Sequence, residues 1–351
     1  QVYVRGMARA LGRRGHEGTI VCYGHGNGEI DPEYKVARTP NLFGYNNLRA
    51  GPDWTKLVLD VFLAKKLVHL DADIIHVHNY EAPIAGGIAR FINHIPMVYS
   101  AHNTLQEELP MYFSSRLVKR GAKYVGRILD LSIPRMADHA IAIQPNTVAT
   151  LQKLGCKRVS CVMPGVDIED ISASEPASLP PGPWVIYAGN VDAYQDLDIL
   201  FQAMRLLSDI GLIVVSPNDL RSIQNQGIKK MICIQTSDFQ IVRSYLAAAD
   251  IASLPRSTCS GFPIKLLNYL GFSLPVVACE GAVHQIPGIV SVPNNNPVLF
   301  ADAIMKLVRS KEKRKQIGAL GREYVLANLT WDAKAQVLEN IYFETLSMQF
   351  S

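Results

Sequence analysis

The chain lacks the features that would assign it at a glance. Its six cysteines, at positions 22, 156, 161, 233, 259 and 279, include no Cys-x-x-Cys pair and no histidine at zinc-ligand spacing. Neither a disulfide scaffold nor a metal site is written in them, and reduced, buried thiols of a cytoplasmic protein are expected instead. No apolar run approaches the roughly 20 residues that cross a bilayer, and no charged leader precedes an apolar core at the start. Charge of one sign is only mildly in excess: 35 lysines and arginines face 31 aspartates and glutamates, for a net charge of +4. That balance argues against a dedicated nucleic-acid binder. A Gly-x-Gly-x-x-Gly turn followed by an acid is missing too, which sets aside a dinucleotide-dependent oxidoreductase as the weakest of three readings. Repeats and low-complexity tracts are absent.

What is present is a long alternation. At 351 residues and 48% hydrophobic, the chain is too long for one ordinary core, so two α/β domains are the natural expectation. Short apolar runs such as GTIVCYG, ADIIHVH, HIPMVYSAH and ADHAIAIQ alternate with helical patterns. Strands that are continuously apolar, with helices between them, point to parallel sheets covered on both faces. The stretch ISASEPASLPPGP carries four prolines among small polar residues and reads as a linker. The pattern then restarts with PWVIYAGN, GLIVVSP, KMICIQ, DIASLP and LPVVACE. The expected organisation is a first domain over 1–171, a linker over 172–183, a second domain over 184–330, and a final helix over 331–351 that crosses back to the first. Both domains are expected to be Rossmann-like, doubly wound parallel sheets facing a cleft. The opening QVYVRGMARALGRRGHE already reads as an amphipathic helix with Val4, Met7, Ala8 and Leu11 on one face. A strand and its loop are therefore expected to precede it.

Chemistry concentrates in SGFPIKLLNYLGFSLPVVA. Ser260, Gly261, Phe262 and Pro263 form a small turn after a strand, and a helix follows with Lys265 in its first turn and Asn268 beyond it. A tight turn, free helix amides and an ammonium suit a diphosphate or sugar hydroxyls, although such turns are also ordinary strand-to-helix connections. Arg256, just past the strand IASLP, is a second cation at a strand end.

These blocks, with the order RRGHE, DIIHVHN, VYSAHNT, ADHAIAIQ, MPGVD, WVIYAGN, AAADIASLPR and LTWDAKA, resemble the glycosyltransferases of family 4, also called glycosyl transferases group 1. The resemblance spans nearly the whole chain and implies the GT-B fold. It implies a retaining hexosyltransferase that uses a UDP- or GDP-sugar, needs no metal or other cofactor, and serves a polysaccharide, glycolipid or small-molecule acceptor. On the family's pattern, His102 contacts the transferred sugar. His78, Asn79, Glu81 and Asn103 stand on the acceptor side. The donor side takes Gly189, Asn190, Gln195, Ser260, Gly261, Phe262, Pro263 and Asn268.

The departures are as specific as the matches. The family's two motif glutamates fall on Ser260 and Asn268, and its diphosphate-binding arginine and lysine fall on Asn190 and Gln195. Two readings follow. Either the charge is relocated to Arg256 and Lys265, which with His102 would be the catalytic residues, or the chain is a catalytically silent module that binds a sugar nucleotide or a protein partner. Finally, Arg116, Lys119, Arg120, Lys123 and Arg127 alternate with apolar residues on one helical stretch. Such a helix suits the anionic inner face of the cell membrane as well as it suits plain solvent.

Overall fold

The structure is a computed structural model that describes residues 2–24, 31–42, 53–80, 82–102, 104–172, 174–258, 261–282 and 286–348. The chain divides into two compact units. The first comprises 1–165, 260–262 and 331–351, and the second 166–259 and 263–330.

The first unit opens with α1 (Val2–Arg13), β1 (Gly18–Cys22), β2 (Tyr34–Arg38) and α2 (Trp54–Val68). Then come β3 (Ile75–His78), α3 (Ala82–Asn93), β4 (Met97–Ala101), α4 (Leu105–Glu108), α5 (Arg116–Ser132), β5 (His139–Ala142), α6 (Pro145–Lys153) and β6 (Val159–Cys161). β1 and β2 pair in parallel with one another, while β3, β4, β5 and β6 form a parallel sheet in sequence order. β4 and β5 are buried at every residue, as central strands of a sheet with both faces covered must be. One face is closed by α1 together with α12 (Trp331–Ser347). Tyr3, Met7 and Ala10 meet Trp331, Ala335, Leu338 and Ile341 over Val98, Ile141 and Val162. The buried face of α1 is therefore centred on Tyr3, Met7 and Ala10, and the expected Val4 and Leu11 are only half-buried. The turn is set by α12, whose Trp331 indole lies so close to Gly6 that a Cβ there would sit 2.1 Å from its Nε1.

The second unit runs β7 (Trp184–Ala188), α7 (Leu197–Arg205), β8 (Gly211–Ser216), β9 (Met231–Gln235), α8 (Phe239–Ala248), β10 (Ile251–Leu254), α9 (Lys265–Gly271), β11 (Val276–Cys279), β12 (Ile289–Val292), α10 (Pro297–Arg309) and α11 (Lys311–Asn328). Its sheet is wholly parallel, in the order β12-β11-β10-β7-β8-β9. β7, β8, β10 and β11 are buried throughout. Phe201 and Met204 of α7 and Phe300 and Ile304 of α10 fill one large core with Val185, Leu212 and Val277. The chain winds outward from β7 to β8 and β9 on one side, then from β10 to β12 on the other. The two halves diverge between β7 and β10, and in open α/β sheets ligands settle beyond the carboxyl ends of the strands at such a switch point.

Candidate functional site

At that switch point β7 ends in Gly189 and the loop to α7, and β10 ends in the segment that carries Arg256. Three interactions shape the loop after β7. Tyr269 of α9 clamps the strand end, accepting from the Ala188 amide at 2.8 Å and donating to its carbonyl at 3.1 Å. Asp196, left-handed at φ 50°, accepts from the Ser257 amide at 2.7 Å and from the Ser257 hydroxyl, tying the two strand-end loops together. Tyr187 donates to the Asn190 carbonyl at 2.5 Å.

Lys265 enters this frame from α9. Its Nζ donates to Tyr187 Oη at 2.6 Å and to Gln195 Oε1 at 3.0 Å, and stands 4.1 Å from the centre of the Tyr187 ring. It reaches there because position 189 is glycine: a Cβ would lie 2.5 Å from Nζ. Gln195 is 3% exposed and Arg256 7% exposed, so Arg256 is not the solvated strand-end side chain that its sequence position allowed. Burial, followed by the nearby Arg256, pushes the Lys265 amine down to about 7, with Asp192 opposing. Burial likewise pushes the Tyr187 and Tyr269 phenols well up.

Lys265 and Asn268 line a cavity of about 300 Å³ with Gly189, Ser216, Pro217, Thr236, Ser237, Phe239 and Val242. Its wall is mostly apolar with a few hydroxyls and an amine at one side, the make-up of a pocket for a flat, polar-edged ligand. The sequence reading missed Tyr187, Asp196, Ser257, Thr236, Ser237 and Phe239. Only the last three carried a local signal, the TSDF turn after β9, where Asp238 caps α8 by accepting from the Gln240 amide at 2.8 Å.

The remaining candidates fall elsewhere. Gly261 and Phe262 group with the first unit, where Phe262 packs on the Tyr3 and Trp331 cluster, while Pro263 belongs to the second. Ser260, Glu81 and Asn103 lie outside the described residues. His78 and His102 sit together at the ends of β3 and β4, with 3.3 Å between His78 Nδ1 and His102 Nε2. His76 stacks on His78 at 4.4 Å and is held by the Tyr342 hydroxyl at 2.6 Å and the Ser100 hydroxyl at 2.8 Å. Tyr3 meets His102 edge-on at 5.0 Å. Burial pushes His76 down to about 3 and His102 to about 4, and His78 moves the same way. At neutral pH these rings are uncharged donors and acceptors. Asn79 is exposed and adopts φ 61°. The loop that follows His102 leads into α4, whose Leu105 and Gln106 amides donate to Asp130 of α5 at 2.8 and 2.9 Å. The outer side of α5 exposes Leu117, Val118, Tyr124, Val125 and Ile128 among Arg116, Lys119, Arg120, Lys123 and Arg127. Only Ala122 and Gly126 of this helix are buried.

Residues 1–170 match the sequence model of Glycosyltransferase Family 4, and residues 182–310 match that of glycosyl transferases group 1. The chain belongs to glycosyltransferase family 4 and is a transferase with the GT-B fold. Among curated relatives, the phosphatidyl-myo-inositol mannosyltransferase of Mycobacterium tuberculosis is 23% identical, with 97% of this chain and 92% of that protein aligned. The D-inositol 3-phosphate glycosyltransferase of Corynebacterium diphtheriae is 22% identical over 97% of this chain and 88% of its own. Among solved structures, sucrose-phosphate synthase from Thermosynechococcus elongatus superposes with a TM-score of 0.82 at 18% identity, covering 99% of this chain and 93% of that one. Anabaena HepE, solved in complex with UDP-glucose, gives a TM-score of 0.66 at 16% identity, covering 94% and 99%.

Proposed function

We propose that this glycosyltransferase moves a hexose, with retention at the anomeric carbon, from a UDP- or GDP-sugar to a polysaccharide, glycolipid or small-molecule acceptor. The observation that carries the reading is the Lys265 amine, held 3.0 Å from Gln195 Oε1. Gln195 stands where the family pattern has its diphosphate-binding lysine. The amine arrives at the same loop from α9, with Arg256 buried beside it at the end of β10. The charge is relocated rather than lost.

The roles follow from that placement. The nucleoside occupies the cavity between Val215, Thr236 and Phe239, with Asn268 toward the ribose. The diphosphate turns toward Lys265 and Arg256. Two cations facing a dianionic leaving group stabilise the charge that develops as the glycosidic bond breaks, which is the main lever in a transfer that has no protein nucleophile. His102, neutral at working pH, offers a hydrogen bond to the transferred sugar. The anionic inner face of the cell membrane is the proposed partner of α5, and vesicles of anionic lipid should retain the wild type but not a Lys119→Glu, Arg120→Glu, Lys123→Glu variant. Among the described residues no helix is long and apolar enough to cross a membrane.

The test of the site is calorimetric titration with UDP and GDP of the wild type and of Arg256→Ala with Lys265→Ala. Micromolar binding of one nucleotide that the double variant loses supports the relocated site and names the donor base. Binding of neither by the wild type refutes it. With donor and acceptor in hand, the anomeric configuration of the product, read by NMR, tests retention.

A further inference from the structure

Among the described residues, the Lys265 amine is hydrogen-bonded only to neutral groups. Tyr187 spends its own proton on the Asn190 carbonyl, so the phenol oxygen is left to accept from Nζ at 2.6 Å. Gln195 Nε2 donates to Asn190 Oδ1 at 2.8 Å and Asn190 Nδ2 in turn donates to Tyr194 Oη at 2.7 Å, an arrangement in which Gln195 Oε1 accepts from the lysine at 3.0 Å. The loop thus supplies two acceptors. An uncharged amine has two N–H groups and an ammonium has three. The third would face the cavity that Lys265 itself lines.

We propose that Tyr187 and Gln195 are positioning residues that hold the Lys265 amine ready in a neutral cradle, so that the arriving donor diphosphate supplies its counter-ion and one proton is drawn from solution onto Nζ. The proposal rests on the donor site assigned above and adds how that site is charged. The proton comes from the buffer, an N–H bond forms on the amine lone pair, and the new N–H points to a phosphate oxygen. The bond that breaks is the buffer acid's own bond to that proton, and the buffer is left as its conjugate base.

The groups around Nζ agree. The phenols of Tyr187 and Tyr269 are held far above neutrality by burial and keep their protons. Tyr194 is joined to the same network through Asn190. Arg256 repels a charge on the amine and Asp192 favours one, but burial outweighs both and holds the amine at about 7. A dianionic ligand reverses that balance, because an opposite charge within a few ångströms favours the charged form. The free amine is then mostly neutral above pH 7 and the bound one charged.

The experiment is isothermal titration calorimetry on the whole chain with UDP-glucose and GDP-mannose as probes, from pH 6 to pH 8.5, in pairs of buffers with different ionisation heats. Nucleotide sugars are used because their diphosphate has both ends esterified and does not itself titrate near neutrality, as a nucleoside diphosphate would. With the free amine at about 7, the wild type should take up about 0.9 proton per ligand at pH 8 and about 0.1 at pH 6, with affinity about tenfold weaker at pH 8. Gln195→Glu places a carboxylate against Nζ and charges the amine before the ligand arrives, so uptake should fall toward zero. Lys265→Met should abolish uptake, and its melting temperature checks that it folds if Gln195→Glu does not. Tight binding by the wild type without proton uptake at pH 8 overturns the inference and leaves the donor site standing. Uptake that survives in Lys265→Met overturns it as well. No binding of either probe by the wild type overturns the inference together with the donor site on which it rests.

Discussion

Alanine at position 189 tests the core of the site with a single methyl group. The new Cβ would stand 2.5 Å from Lys265 Nζ and 2.7 Å from Cε, whereas non-bonded carbons rest at about 3.5–4.0 Å. The lysine must therefore retreat by about 1 Å. Its contacts at 2.6 Å to Tyr187 and 3.0 Å to Gln195 do not survive that shift. Position 189 also has φ +147°, which a residue with a Cβ adopts at a cost of about 1–3 kcal/mol. For a domain of this size each 1 kcal/mol lowers the melting temperature by about 2–4 °C, so a drop of several degrees is expected. Losing a hydrogen bond to a charged group removes about 1.5–3 kcal/mol, and donor affinity should weaken by roughly 10- to 150-fold. Differential scanning calorimetry measures the first effect and titration calorimetry with the bound nucleotide sugar the second. Wild-type affinity in a folded Gly189→Ala protein would refute the assignment of Lys265 to the diphosphate.

Other outcomes concern the first unit. His102→Ala should lower the transfer rate about a hundredfold, the scale of losing one oriented hydrogen-bond donor at a reacting group, and leave nucleotide affinity unchanged, because that affinity is assigned to the second unit. Kinetics and titration calorimetry together read the split. Asp130→Ala removes the acceptor of two α4 amides and should cost about 1 kcal/mol, as the loss of a helix cap does, with Asp130→Asn intermediate in thermal melts. His76 and His102 have folded values of about 3 and about 4 against an ordinary 6.5. Below 6.5 the unfolded chain binds protons that the folded chain refuses, so stability is full above pH 6.5 and is lost as the pH falls toward 4. Melting temperatures across that range should fall with acid, and more gently in His102→Gln.

Much of the fold was legible because its determinants are local. WVIYA, GLIVVS, IASL and VVAC are strands buried from end to end, and a short continuous apolar run bounded by turn residues has few other ways to bury itself. The helix faces were less legible. Periodicity placed Val4 and Leu11 of α1 on the apolar side, but the buried face belongs to Tyr3, Met7 and Ala10 because Trp331, more than 300 positions along the chain, presses on Gly6. The basic stripe of α5 was readable as spacing, and the exposure that both of its readings required is what the helix shows.

The site divides the same way. Residue types and their order by themselves determined the family resemblance and the two parallel α/β units, and they carried the reading that Ser260, Asn268, Asn190 and Gln195 stand at the family's glutamate, arginine and lysine positions. They also marked Arg256 and Lys265 as the candidate replacement cations. Only the tertiary structure decided that Lys265 ends at Gln195, 70 positions away, and that Tyr187 and a side-chain-free Gly189 make room for its amine. Which strand ends meet depends on the sheet order, with β10 beside β7, and a contact between loops 60 or 70 residues apart leaves no periodic trace in either loop. Burial, and with it the charge of the amine, is a property of that contact and of no single residue in it.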